Sequence, residues 1–173
     1  MKHDLQLFAV IALVAFTTQT RANPPNLQTP SPVIYLADNL DEKDGLGWCI
    51  DTLGRGFAER LQAHSCKPRG GDIQFSFEVS AGLIRSVEFS GYCMAHQPND
   101  ESTFALVTCD AAAPSQRFTY LPEDRTIRPS EDESACVSVG ESSRYAGPFM
   151  SRTLLLTACT ATDGLLKEWV VLP

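Results

Sequence analysis

GYCMAHQPNDESTFALVTCDAAAPSQRF, residues 91–118, decides the architecture. It holds two cysteines, Cys93 and Cys109, on short apolar runs, and it ends on an aromatic, Phe118. Turn-forming residues separate the runs, first Gln97-Pro98-Asn99-Asp100 and then Ala113-Pro114. The pattern predicts strands over roughly 82–88, 92–95, 104–109 and 116–121.

The same landmarks recur on both sides of this stretch. Cys49 lies 44 residues before Cys93, and Cys136 lies 43 after it. Cys66 and Cys109 are 43 apart, as are Phe75 and Phe118. Leu83-Ile84-Arg85 returns as Thr126-Ile127-Arg128, and Gly47-Trp48-Cys49 returns as Gly91-Tyr92-Cys93. The third copy is longer: Cys159 lies 50 beyond Cys109, and Trp169 lies 51 beyond Phe118. The extra residues read as a long loop over 140–152. Independent landmarks that share one period mark an internal repeat.

Four short strands repeated three times give an all-β chain of twelve strands. Three such units around a pseudo-threefold axis close a barrel and cap it with hairpins, which is a β-trefoil. A propeller needs more blades. A helical solenoid needs a 3.6-residue period, and only 57–63 is a candidate for one helical turn.

The N-terminus reads as an export signal. Lys2 and His3 precede an apolar run over 5–16, and small residues, Thr20 and Ala22, precede Asn23. Residues 1–22 are therefore expected to be cleaved, which makes the protein secreted or periplasmic; an uncleaved anchor is the alternative. Residues 23–32, NPPNLQTPSP, read as a proline-rich tether, with the domain proper over 33–173.

Removal of 1–22 takes away Lys2, Arg21 and Asp4, which moves the net charge from −7 to −8. An acidic chain repels phosphate, so no nucleic-acid partner is expected, and no membrane once the signal is removed. All six cysteines lie beyond the signal, and an even count in an exported chain implies disulfides. No pair has the short spacing that a zinc site favours, and no metal or cofactor is expected. The repeat selects Cys49–Cys66, Cys93–Cys109 and Cys136–Cys159 as the local, threefold-consistent pairing.

Taken together, the two cysteines per repeat and Gln116-Arg117-Phe118 resemble the ricin-type β-trefoil lectins, a family that is also a class of carbohydrate-binding module. Gln116-Arg117-Phe118 is a Gln-x-Phe form of that family's Gln-x-Trp signature. Its counterparts are Ile73-Gln74-Phe75 and Lys167-Glu168-Trp169, so the aromatic is kept three times and the glutamine once. The resemblance implies that Phe75, Phe118 and Trp169 are core residues.

It also implies where a sugar would sit. In the family, an aspartate two after the first cysteine takes sugar hydroxyls, and an aromatic two before the second cysteine stacks on the ring. The chemistry is general: a carboxylate grips paired hydroxyls, and a π face covers the C–H face of a sugar. The first repeat carries Asp51, Gln62, His64 and Asp72 at the family's positions. His64 departs from the usual tryptophan or tyrosine and offers a smaller platform. The second repeat has Ala95, Ala105 and Val107 there, and the third has Ser138, Leu155 and Thr157. Both are expected to be silent.

The expected function is therefore glycan binding at one site, with galactose-type sugars as the family's habit. A monomer is expected, because the repeat closes the fold within one chain. The alternative is a trefoil whose sugar site has decayed and which binds a protein partner, for example through 140–152. Catalysis is not expected: there is no Gly-x-Ser-x-Gly elbow and no His-Glu-x-x-His motif. Another trefoil family inhibits proteases, but the cysteine pattern fits the lectin type better.

Overall fold

The structure, a computed structural model, describes residues 23–68, 70–97 and 103–173. The export signal and its cleavage point, and the turn at Pro98-Asn99-Asp100, lie outside the described residues. The first repeat contributes strands β1 (Val33–Leu36), β2 (Trp48–Thr52), β3 (Leu61–Ser65) and β4 (Phe75–Glu78). The second contributes β5 (Leu83–Ser86), β6 (Tyr92–His96), β7 (Phe104–Thr108) and β8 (Phe118–Leu121). The third contributes β9 (Thr126–Pro129), β10 (Ala135–Val139), β13 (Leu154–Ala158) and β14 (Trp169–Leu172). Two further strands, β11 (Arg144–Ala146) and β12 (Phe149–Arg152), lie inside the third repeat.

The pairing follows the repeat. Inner strands pair as hairpins within each copy: β2 with β3, β6 with β7 and β10 with β13. The last strand of each copy pairs with the first of the next: β4 with β5 and β8 with β9. β14 returns to β1, with Leu36 opposite Trp169 and Val33 opposite Leu172. That last pairing closes the ring and removes the sheet edge that the terminal strands would otherwise expose.

The core shows the same symmetry. Ile34, Ile84 and Ile127 come from the first strand of each copy, and all are buried in one cluster. Ile50, Met94 and Val137, each one residue past a cysteine, join them. Phe75, Phe118 and Trp169 complete the cluster, each preceded by a short 3-10 helix: Gly71–Ile73, Pro114–Gln116 and Gly164–Leu166. Each large side chain so buried contributes about 1.5–3 kcal/mol. The three disulfides join Cys49 to Cys66, Cys93 to Cys109 and Cys136 to Cys159.

The glutamine of the signature is a clip. Gln116 is buried; its Oε1 accepts from Asp110 N at 2.9 Å, and its Nε2 donates to Thr108 O at 3.0 Å. The third copy makes a similar clip with an ammonium group: Lys167 Nζ donates to Thr162 O at 2.7 Å and also to Cys159 O. The first copy uses apolar packing instead, with Ile73 against Val33 and the Cys49–Cys66 bridge.

Three local expectations change. Residues 57–63 form no helix; the chain is irregular there until β3 begins at Leu61. Residues 140–152 are not a plain loop, because β11 and β12 form a hairpin. Gly147 is the first of its two turn residues and has φ 66°, the position and sign that a type II′ turn reserves for glycine. Residues 23–32, expected as a tether, lie along the first repeat. Asn26 N donates to Gly45 O at 2.8 Å, and Gln28 N donates to Cys66 O at 3.2 Å. Thr29 Oγ1 donates to Lys67 O at 2.9 Å. A proline-rich chain has few donors for itself, so it satisfies its polar groups on the edge of a neighbour.

Candidate functional site

The β2–β3 hairpin assembles the candidate set. Its register puts Asp51 opposite Gln62 and Cys49 opposite His64. The equivalent pairs are Ala95 with Ala105 and Cys93 with Val107 in the second copy, and Ser138 with Leu155 and Cys136 with Thr157 in the third. The strand register therefore reproduces the repeat alignment residue for residue. Direct cross-strand partners share a face, so Asp51 and Gln62 meet.

Asp51 Oδ2 accepts from Gln62 Nε2 at 3.4 Å and lies 3.9 Å from Lys67 Nζ. Lys67 Nζ is also 3.5 Å from Asp72 Oδ2, so one ammonium bridges two carboxylates. His64 Nδ1 lies 3.0 Å from the Ser65 carbonyl oxygen. A carbonyl can only accept, so Nδ1 carries the proton and Nε2 is left as the acceptor. All four predicted residues are brought together.

They do not have the exposure that a shallow surface site needs. Asp51, Gln62, His64 and Asp72 are all buried. Every residue of β2 and β3 is buried, whereas β7 and β13 turn outward at their ends. At His64 the inserted hairpin adds cover that the other repeats lack: β12 pairs with β3, with Ser151 opposite His64 and Arg152 opposite Ala63. Val107 and Thr157 at the same position are half-buried. Ala95 and Ser138, the equivalents of Asp51, are buried without such a hairpin. Ser65 Oγ fastens the inserted hairpin by accepting from Met150 N at 2.9 Å while donating to Asp44 Oδ2.

Burial shapes the electrostatics. It pushes the Asp51 carboxyl up to about 7, Lys67 works against that rise, and the Asp72 charge adds to it. Burial lowers the His64 pKa, which favours the neutral ring. Among the described residues, no protein group donates to Asp51 Oδ1 or Asp72 Oδ1. For Asp51, desolvation in this low-dielectric setting favours the protonated form.

Beside the cluster is a cavity of about 530 Å³. Gln62, His64 and Lys67 form one side of it, and Arg144, Tyr145 and Phe149 of the inserted hairpin form the other. Asp51 and Asp72 do not line it. Asp51 stands behind Gln62 and Lys67, in contact with both. Arg144 Nη2 donates to Gln62 Oε1 at 3.1 Å. The Phe149 ring meets His64 edge-on, with centroids 5.8 Å apart, while Tyr145 is 83% exposed. Sequence reasoning missed Lys67, Arg144, Tyr145 and Phe149. The aromatics flanking Gly147-Pro148 were the available signal for the hairpin, but nothing local says that it docks on the first repeat.

Among the described residues, no group of three or more His, Cys, Asp or Glu side chains is arranged to hold a metal ion. No described helix is long and apolar enough to cross a membrane.

Similar folds occur in solved structures. The chain superposes on the cytolethal distending toxin of Actinobacillus actinomycetemcomitans with a TM-score of 0.57 and 21% identity, covering 83% of this chain and 92% of that one. The cytolethal distending toxin of Haemophilus ducreyi gives 0.56 and 19%, covering 94% and 95%. GalNAc-T7, solved with UDP, GalNAc and Mn2+, gives 0.54 and 14%, covering 86% of this chain but 23% of that one. At these identities the likeness shows the fold alone. A search of the curated proteins finds no match. The model of the ricin-type β-trefoil lectin domain matches residues 40–169, a span that holds all six cysteines, the three signature aromatics and the inserted hairpin. On that match, over most of its length, the chain belongs to the ricin-type β-trefoil lectin domain family.

Proposed function

We propose that this protein is an exported, monomeric glycan-binding module with one sugar site, the cavity between the first repeat and the inserted hairpin. The observation that carries the reading is the meeting of Gln62, His64 and Lys67 with Tyr145 and Phe149 around one cavity of about 530 Å³. That volume lies within the range of about 300–1,000 Å³ usual for small-ligand sites. Hydroxyl-reading groups lie on one wall, and aromatic rings lie on the other. Tyr145 takes over the stacking role that His64 is too small to fill. The other two repeats lack the polar pair. The role is binding without catalysis: Asp51 and Asp72 both stand behind Lys67 rather than across the cavity from each other, as a glycosidase pair would.

One observation favours a second reading. Gln62 is already engaged on both ends, by Asp51 and Thr52 through Nε2 and by Arg144 through Oε1. A site whose polar groups satisfy one another is what a decayed sugar site would look like, and the hairpin would then serve a protein partner.

A glycan array probed with the full chain, exported so that its disulfides form, separates the two. Wild type is expected to bind a defined glycan set, and Tyr145→Ala to bind it about three- to tenfold more weakly. A folded wild type that binds no glycan leaves the second reading.

A further inference from the structure

We propose that the cavity of the first repeat takes an acidic glycan, a sugar bearing a carboxylate or a sulfate. This rests on the glycan-binding reading above and narrows its ligand class. The chain carries a net charge of −7, yet Arg55, Lys67 and Arg144 line this cavity and no aspartate or glutamate does. A cleft lined by one sign of charge concentrates ligands of the other sign. The next cavity makes the contrast: Asp124 and Glu133 line it together with Arg128 and Lys167, so its charges cancel.

The cations are not equivalent. Lys67 is shared between Asp51 and Asp72. Arg144 is not paired in this way. Its contacts are neutral: Gln62 Oε1 at 3.1 Å and Thr153 Oγ1 at 3.5 Å. Among the described residues, neither Arg144 nor Arg55 pairs with a carboxylate. A guanidinium has five donors, so Arg144 keeps several for a ligand while still holding Gln62. It sits on a strand of a two-residue hairpin pinned to β3, which keeps its fork in place without a bound ligand. That arrangement suits a planar carboxylate or a sulfate on a sugar whose ring lies against Tyr145. Burial of Asp51 adds to the effect, because its carboxyl is partly protonated near neutral pH and offsets less of the positive charge.

The test uses polymer-displayed lactose, sialylated lactose and sulfated lactose against the full, disulfide-bonded chain, in low and high salt. Wild type is expected to bind an acidic conjugate at least about tenfold more tightly than lactose in low salt, and to lose most of that preference in high salt. Arg144→Gln should bring the preference below about threefold with unchanged melting, and Arg144→Lys should keep part of it. The sialylated and sulfated arms tell which acid is preferred, and a preference for either supports the proposal. Equal binding of lactose and the acidic conjugates overturns the proposal and leaves the lectin reading intact. A salt-sensitive preference that Arg144→Gln does not alter also overturns it, by placing the charge recognition elsewhere. A folded protein that binds none of the conjugates and nothing on the array overturns both.

Discussion

The guanidinium of Arg152 lies 4.6 Å from the centre of the Trp48 ring, so the inserted hairpin of the third repeat is anchored on a buried aromatic of the first. Trp48 is itself held, with Nε1 donating to Asn39 O at 3.0 Å. Arg152 also donates to the carbonyls of Gly140 and Glu141 at 2.9 and 2.6 Å, and it lies 3.8 Å from Glu42. A single buried cation therefore closes the base of the hairpin and ties it to the domain. Arg152→Leu should cost about 3–5 kcal/mol in urea unfolding, because Glu42 and two carbonyls lose their partner. A cost under about 0.5 kcal/mol would mean that the hairpin is held by other contacts.

Asp51 should make the protein less stable as pH rises from about 4 to 7. Its carboxyl is raised from the ordinary 3.8 to about 7, so in that window the folded chain keeps a proton that the unfolded chain has released. Stability then falls with pH and levels off above about 7, with a total loss on the order of 4 kcal/mol. His64 acts in the opposite sense: its lowered pKa means stability is lost as pH falls through about 6.5. Asp51→Asn should match wild type near pH 4 and exceed it at pH 8. A stability difference that does not change with pH contradicts this account.

Gly47 reports on residues 23–32. A Cβ there would fall 2.3 Å from Pro25 Cβ, and its φ is 77°. Gly54 also has a positive φ, but open space surrounds it. Gly54→Ala should cost about 1–2 kcal/mol from backbone strain alone. Gly47→Ala should cost about 2–4 kcal/mol, because the proline must move as well. Equal costs in thermal or urea unfolding would show that the segment does not pack there in solution.

The three disulfides close loops of similar span, with sequence separations of 17, 16 and 23. Loop entropy alone makes each worth about 3 kcal/mol. Cys49 and Cys66 are wholly buried against Val33 and Ile73, whereas Cys109 and Cys159 are half-buried. Paired Cys→Ala replacement should therefore cost most at Cys49–Cys66, by about 1 kcal/mol more than at the other two. The ranking is read from urea midpoints of the three double variants.

Sequence and structure agree where the pattern is local. The 43-residue spacing from Cys66 to Cys109 and from Phe75 to Phe118 foretold equivalent strands: Phe75 and Phe118 open β4 and β8, while Cys66 and Cys109 each fall one residue past β3 and β7. The sequence placed Asp51 and Gln62 in one set only through the resemblance; that they stand directly opposite each other comes from the β2–β3 register. Residues 23–32 were misread for a related reason. Composition describes what a segment can do for itself, and this one finds its partners on Gly45, Cys66 and Lys67.

By itself, the amino-acid sequence determined the threefold repeat, the cysteine partners, the core aromatics and which repeat carries polar groups. The repeat and the cysteine partners follow from periodic side-chain patterns and from turns spanning a few residues; the core aromatics and the polar repeat follow from the resemblance to the ricin-type family. Only the tertiary structure decided that the polar set is roofed over and that its cavity borrows a wall from the third repeat. Arg144 and Gln62 are 82 residues apart, and their contact exists because the barrel closes and sets β12 beside β3. The burial of Asp51, and with it the rise of its pKa, comes from the closed barrel, which buries the equivalent Ala95 and Ser138 as well. Desolvation depends on which chain segments exclude water in three dimensions, and no spacing along the chain encodes it.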